Sequence, residues 1–197
     1  MMNLIEERVA LARAGNNPWL ITRMTSGWCV AGDVQTLPGY CLLLPDPVPF
    51  SINDLDEKAR IAYSLDTIRI GDALLKVTGA YRINYMSLSN LDQSLHTHII
   101  PRYTSEPDDK RKGGAMNVYD WGNGRKFDPV ADRGFVEKMR AALSAPPPAI
   151  LCLQNGVDNE AALAKILGAD RVIAGTVTTA VGSRGPGNAV VERSRGV

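Results

Sequence analysis

The sequence predicts an α+β fold: a twisted antiparallel β-sheet with helices packed on it, followed by a short C-terminal β-α-β fragment. Three observations carry this. Two short apolar segments, 27–32 and 40–44, flank a polar, glycine- and proline-bearing turn, as the arms of an antiparallel pair do. Two long stretches, one ending at Gly79 and one from Asp128 to Leu143, carry apolar residues at helical spacing. Beyond a proline run the pattern turns to strand, helix, strand. With 197 residues, of which 45% are hydrophobic and 22% charged, the chain has room for one domain of ordinary size and an appendage.

Taken in order, residues 3–14 form an amphipathic helix that stops at Gly15-Asn16-Asn17-Pro18, where a C-terminal glycine is followed by a residue that cannot continue a helix. The antiparallel pair comes next and ends at Pro45, Pro47 and Pro49. Ser51 or Asn53 is placed to cap the second helix, whose first turn puts Asp54, Asp56 and Glu57 at the positive end of the helix dipole. Ile61, Leu65, Ile68 and Leu75 recur on one face and are expected to pack on the sheet, while Gly71 inside the run costs about 1 kcal/mol relative to alanine. Residues 81–88 and 95–100 read as strands joined by a polar turn, with Pro101 ending the second. A charged loop over 105–114 leads to a strand at 116–119, and Asp128-Pro129 opens a helix to Leu143 with Phe135, Val136, Met139 and Leu143 facing inward. The proline run at 146–148 is a stiff spacer. This divides the chain into a domain over 1–143, a linker over 144–149 and a fragment over 150–197. In the fragment, strands at 150–153 and 171–174 flank a helix at 159–167, and a glycine-rich tail without apolar periodicity follows.

Composition narrows the function. Lys and Arg number 22 against 21 Asp and Glu, so no global field gathers a nucleic acid polymer or an acidic membrane, and an anion must be caught by local groups. Three cysteines without a CxxC pair fit a reducing compartment, and neither an export signal nor a membrane-spanning run is visible, so a cytoplasmic protein is expected.

The chain has two histidines, and both lie in Ser94-Leu95-His96-Thr97-His98-Ile99-Ile100-Pro101-Arg102. On an extended chain alternate side chains share a face, which sets Ser94, His96 and His98 on one side and Leu95, Thr97 and Ile99 on the other. A neutral imidazole can attack an electrophilic phosphorus while a neighbour holds the leaving group. Two other readings stand beside that one. Histidines at i and i+2 can ligate zinc or iron, although a site needs a third protein ligand and Asp92 is the one nearby carboxylate in sequence. Both rings can also serve as ordinary sheet residues bonded to backbone or water. Trp28 and Tyr40 suit base stacking or, more commonly for strand aromatics, the core.

The segment 94–100 resembles the active-site strand of the histidine triad (HIT) superfamily, His-φ-His-φ-His-φ-φ with φ apolar, except that its first histidine is Ser94 here. Gly27-Trp28-Cys29-Val30-Ala31-Gly32-Asp33, Leu37-Pro38-Gly39-Tyr40-Cys41-Leu42-Leu43-Leu44-Pro45 and Pro101-Arg102-Tyr103 resemble HIT-like sequences as well, so the similarity spans roughly 20–143. The resemblance implies a HIT-like sheet and a nucleotide hydrolase or nucleotidyl transferase acting on a nucleoside phosphate derivative, of phosphoramidate or dinucleoside polyphosphate type. It implies that His96 is the nucleophile forming a nucleotidyl-histidine intermediate and that His98 contacts phosphate and assists the leaving group. It places Asn90, Gln93 and Ser94 around the phosphate, with Asn84 a further candidate of the same kind; by its own chemistry the fixed fork of Arg102 either holds phosphate or, past Pro101, stays solvated. No cofactor is implied, and a homodimer is. A nucleotide-binding module weakened in catalysis by Ser94 and a metal-dependent hydrolase using His96 and His98 as ligands are the alternatives.

The stretch Ile150-Leu151-Cys152-Leu153-Gln154-Asn155-Gly156-Val157, with Asn159-Glu160, Asp170-Arg171-Val172-Ile173-Ala174-Gly175 and Gly185-Pro186-Gly187, resembles part of ketopantoate reductase. That resemblance places Asn155 near an NADP-type cofactor, but no GxGxxG follows a first strand, so the pyrophosphate cradle is missing and hydride transfer is not expected.

Overall fold

The computed structural model describes residues 2–144, 150–152, 158–175, 180–183 and 189–193. The chain divides into two compact units, Met1–Ala145 and Pro146–Val197.

In the first unit the elements run α1 (Leu4–Arg13), β1 (Leu20–Arg23), β2 (Gly27–Ala31), β3 (Cys41–Pro45), α2 (Glu57–Thr78), β4 (Arg82–Met86), β5 (Thr97–Arg102), α3 (Asp108–Arg111), α4 (Ala115–Val118) and α5 (Arg133–Ser144). The five strands form one antiparallel sheet in the order β1-β2-β3-β5-β4. Alternation along each strand gives the sheet two apolar faces. On one, Cys29, Ala31, Cys41, Leu43 and Ile99 meet Tyr63, Ile70 and Leu74 of α2 and Val136, Met139 and Leu143 of α5. On the other, Val30, Leu42, Leu44 and Ile100 meet Ile5 and Val9 of α1 and Ala115 of α4.

The α+β class and the antiparallel sheet stand as predicted, and five local expectations change. The cap of α2 is Asp56, whose side chain accepts from the Ala59 amide, while Ser51 caps a separate 3-10 turn at Ile52–Asp54. The face of α2 turned to the sheet is Tyr63, Asp66, Ile70, Ala73 and Leu74; Ile61, Leu65, Ile68 and Leu75 are 37 to 52% exposed. Both stripes are apolar, so periodicity alone selected the more aliphatic one. Pro101 lies inside β5, opposite Ile83 of β4. The β3 ladder stops at Cys41 opposite Ile99, so one flank of Pro101 has no strand partner and its missing N–H breaks no ladder there. Residues 115–118 form one helical turn rather than a strand, with the Asn117 and Val118 amides bonded to the Gly114 carbonyl and Ala115 wholly buried. α5 starts at Arg133 because Asp128 first closes a turn, its side chain accepting from the amides of Val130 and Ala131.

Gly71 has a packing reason: a Cβ there would lie 2.0 Å from the hydroxyl of Tyr85, whose ring rests on the helix at that point.

In the second unit β6 (Ile150–Cys152) and β7 (Val172–Ala174) pair in parallel around α6 (Asn159–Leu167), the β-α-β pattern read from sequence. The tail departs from expectation by forming a hairpin, β8 (Ala180–Ser183) with β9 (Ala189–Arg193). The proline run, Asn155 and Gly185-Pro186-Gly187 lie outside the described residues.

Candidate active site

The site is built at the N-terminal end of β5. His98 is the second residue of that strand, flanked by Leu42 of β3 and Met86 of β4, and His96 lies just before the strand begins. Thr97 points the other way, into the α2 face, where its hydroxyl meets those of Tyr63 at 2.7 Å and Ser87 at 2.5 Å. The two rings are therefore on one side as alternation requires, 4.8 Å apart between centroids and crossed at 73°.

His96 is 7% exposed, and its Nδ1 sits 2.8 Å from the carbonyl oxygen of Ser94. A carbonyl only accepts, so Nδ1 carries the proton and Nε2 keeps its lone pair. This is the tautomer a nucleophilic imidazole needs. His98 Nδ1 lies 2.5 Å from the hydroxyl of Tyr40, with the two rings stacked at 5.9 Å. Burial, and after it the neighbouring His96, lowers the His98 pKa to about 4, so the ring is uncharged near neutrality. Burial also pushes the Tyr40 phenol up and keeps it protonated. An uncharged His98 has one ring N–H and one ring lone pair, and its Nδ1 is matched to the Tyr40 hydroxyl, which can serve either.

Tyr40 is a site residue that the sequence left among core aromatics. It reaches His98 because Gly32 makes room: a Cβ at Gly32 would lie 2.1 to 2.2 Å from the Tyr40 ring. Trp121, anchored by its indole N–H on the Ala115 carbonyl, packs edge-on against the same ring at 5.0 Å.

The other sequence-predicted residues separate into two groups. Ser94 is buried beside the histidines, and its hydroxyl accepts from the side-chain amide of Asn3 at 2.7 Å. Asn90 and Gln93 are exposed on the turn leading into this segment and make no hydrogen bond among the described residues. Arg102 and Asn84 are not brought to the histidines as free ligands. All five N–H groups of the buried Arg102 are engaged, by the Glu106 carboxylate, the Asn84 side-chain oxygen and the carbonyls of Lys110 and Gly113. No fork is left for phosphate, so the structure corrects the binding role expected of Arg102. Burial raises the pKa of Glu106, but Arg102, the Tyr103 amide and the Tyr119 hydroxyl outweigh it and hold the carboxylate below its ordinary range. Trp28 donates to Asp46 and lies under Arg23.

Among the described residues no group of three or more His, Cys, Asp and Glu is placed to hold a metal ion. No described helix is long and apolar enough to cross a membrane. Cavities of about 460, 370 and 520 Å³ lie beside Thr78 and Lys138, beside Pro18 and Arg140, and beside Glu6 and Val48, and neither histidine lines any of the three.

Comparison with solved structures gives the fold. A histidine triad protein from Bradyrhizobium japonicum superposes with a TM-score of 0.55 at 24% identity, over 63% of this chain and 89% of that one. A histidine triad (HIT) protein from Sinorhizobium meliloti gives 0.55 at 21% identity over 62% and 87%. A hypothetical histidine triad nucleotide-binding protein from Sulfolobus tokodaii gives 0.55 at 12% identity over 70% and 91%. Shares of this size exceed the C-terminal unit and fall chiefly on the N-terminal one. The ketopantoate reductase PanE/ApbA family model matches residues 135–197, about a third of the chain, and begins inside α5. No curated protein matches the sequence.

Proposed function

We propose that this chain, whose N-terminal unit has the histidine triad fold, is a nucleotide hydrolase or nucleotidyl transferase working through His96 on a phosphoramidate- or dinucleoside polyphosphate-type substrate. The observation that carries the reading is the bond from His96 Nδ1 to the Ser94 carbonyl, which leaves the Nε2 lone pair as nucleophile. The nucleotide-binding description of the Sulfolobus protein supports the substrate class.

In the first step Nε2 of His96 attacks the phosphorus attached to the nucleoside. The bond to the leaving group breaks, its electron pair departs with that group, and the group takes a proton from solvent. The N-phosphorylated ring is cationic and keeps its Nδ1–H on Ser94, so the carbonyl stabilises the charge that develops. His98, uncharged, donates a hydrogen bond to a phosphoryl oxygen. In the second step water, or an acceptor in the transferase case, attacks the phosphorus. The P–N bond breaks, His96 recovers its electron pair, and the attacking group releases its proton. The net reaction with water yields a nucleoside monophosphate and the protonated leaving group.

The test is trapping with a panel of nucleoside phosphoramidates and dinucleoside polyphosphates, followed by acid-free peptide mass analysis. An acid-labile nucleotidyl mass on the peptide containing His96 is the expected result. Binding without adduct or release of monophosphate would replace the proposal with a binding module. Turnover that follows added metal and is lost on chelation would replace it with a metal-dependent hydrolase.

The functional unit is a homodimer in this proposal. Ile68 and Leu75 flank Gly71 on the face of α2 where Tyr85 of the edge strand β4 lies, and Ile61 and Leu65 continue the stripe. An apolar patch running from a helix onto an unpaired strand edge is the surface a second copy covers by extending the sheet. Leu65→Glu combined with Ile68→Glu is expected to convert a dimer to a monomer in sedimentation at micromolar concentration. A wild-type chain that sediments as a monomer would contradict the assembly.

A further inference from the structure

The segment that carries the nucleophile stands outside the sheet. β5 begins at Thr97, so neither Ser94 nor His96 belongs to its ladder. Its external backbone tie is the Leu95 amide on the Pro49 carbonyl at 2.9 Å, and the Ser94 amide turns back locally to Asp92. The Ser94 carbonyl, which fixes the His96 tautomer, therefore depends on how the Ser94 residue itself is held. Its side chain is held from 91 residues away: Asn3 Nδ2 donates to Ser94 Oγ at 2.7 Å.

Asn3 is also the N-cap of α1. Its side-chain oxygen accepts from the Glu6 amide at 3.0 Å, and the Glu6 carboxylate accepts from the Asn3 amide at 2.9 Å. The capping box fixes the rotamer of Asn3 and uses its oxygen, which turns the amide nitrogen toward Ser94. α1 is in turn fixed by Ile5 and Val9, both buried on the sheet face that carries the histidines.

We propose that Asn3 is a positioning residue for His96: through Ser94 it holds the carbonyl that keeps the nucleophile in its Nδ1–H tautomer. The part of this inference that concerns rate rests on the function proposed above, whereas the part that concerns the ring does not. Asparagine suits the position because it supplies an acceptor for the cap and a donor for Ser94 at once. Serine caps a helix about as well but is too short to span both partners.

The experiment uses the full chain labelled with ¹⁵N-histidine, which gives only two rings to assign. Wild type is expected to show His96 as the Nδ1–H tautomer. Asn3→Ser is expected to show a mixture of tautomers at unchanged helicity, and to lower kcat about tenfold with little change in KM. Ser94→Ala breaks the same contact from the other side and is expected to do the same, with the double variant no worse than either alone. A His96 ring that keeps its wild-type tautomer in both variants would overturn the proposal, and so would rate losses that multiply. If wild type turns over no nucleotide, the proposed function fails while the ring measurement still decides the role of Asn3.

Discussion

His96→Ala is expected to lower kcat/KM toward nucleoside phosphoramidates by at least ~10³-fold, because it removes the atom that bonds to phosphorus. His98 Nδ1 is bonded to the Tyr40 hydroxyl. Stability should fall by about 1–3 kcal/mol, the cost of leaving the buried Ser94 carbonyl without its ring donor. The two readouts separate a lost nucleophile from a lost fold: turnover kinetics on one side, urea unfolding on the other. Turnover within tenfold of wild type in a folded His96→Ala protein would remove His96 from the mechanism.

Glu106→Ala is expected to have the opposite profile, destabilising the N-terminal unit by about 3–5 kcal/mol. Glu106 is the anion at the centre of a buried cluster, bonded to Arg102 through both oxygens, to the Tyr103 amide and to the Tyr119 hydroxyl. Removing it strands the guanidinium of Arg102, whose side chain is 3% exposed, without a counter-charge. Urea unfolding followed by tryptophan fluorescence reads the loss directly, and a change below about 1 kcal/mol would show that the cluster does not hold the end of β5 in place. Molecules that remain folded should retain the His96 adduct chemistry, because the cluster and the histidines occupy opposite ends of the strand.

The contrast between these two sites explains what could be read from residues alone. His96 and His98 were legible because both lie within one short extended segment, where a period of two fixes which side chains share a face. Arg102 sits on the same face by the same rule, but its partners, Glu106, Lys110 of the short α3, Gly113 and Asn84 of β4, are set by how separate segments meet, which has no periodic signature. Tyr40 could be placed on a strand but not beside His98, since that depends on the β3–β5 register and on the space left by Gly32. Asn3 was visible as a helix start; its second contact is a matter of how α1 docks. On α2 the difficulty was different. Ile61, Leu65 and Ile68 form the stronger aliphatic stripe, and sequence cannot distinguish a face buried in the domain from one left exposed on it.

The tie between the Leu95 amide and Pro49 has a consequence for variation in the family of sequences this fold can accept. Leu95 is also buried at the α2 face, so the strand is clamped just ahead of the histidines, downstream of the polar turn. A one-residue slip would exchange imidazoles for aliphatic and hydroxyl side chains on the reactive side. Because the clamp lies after the turn, residues 88–91 can change in length without transmitting that slip.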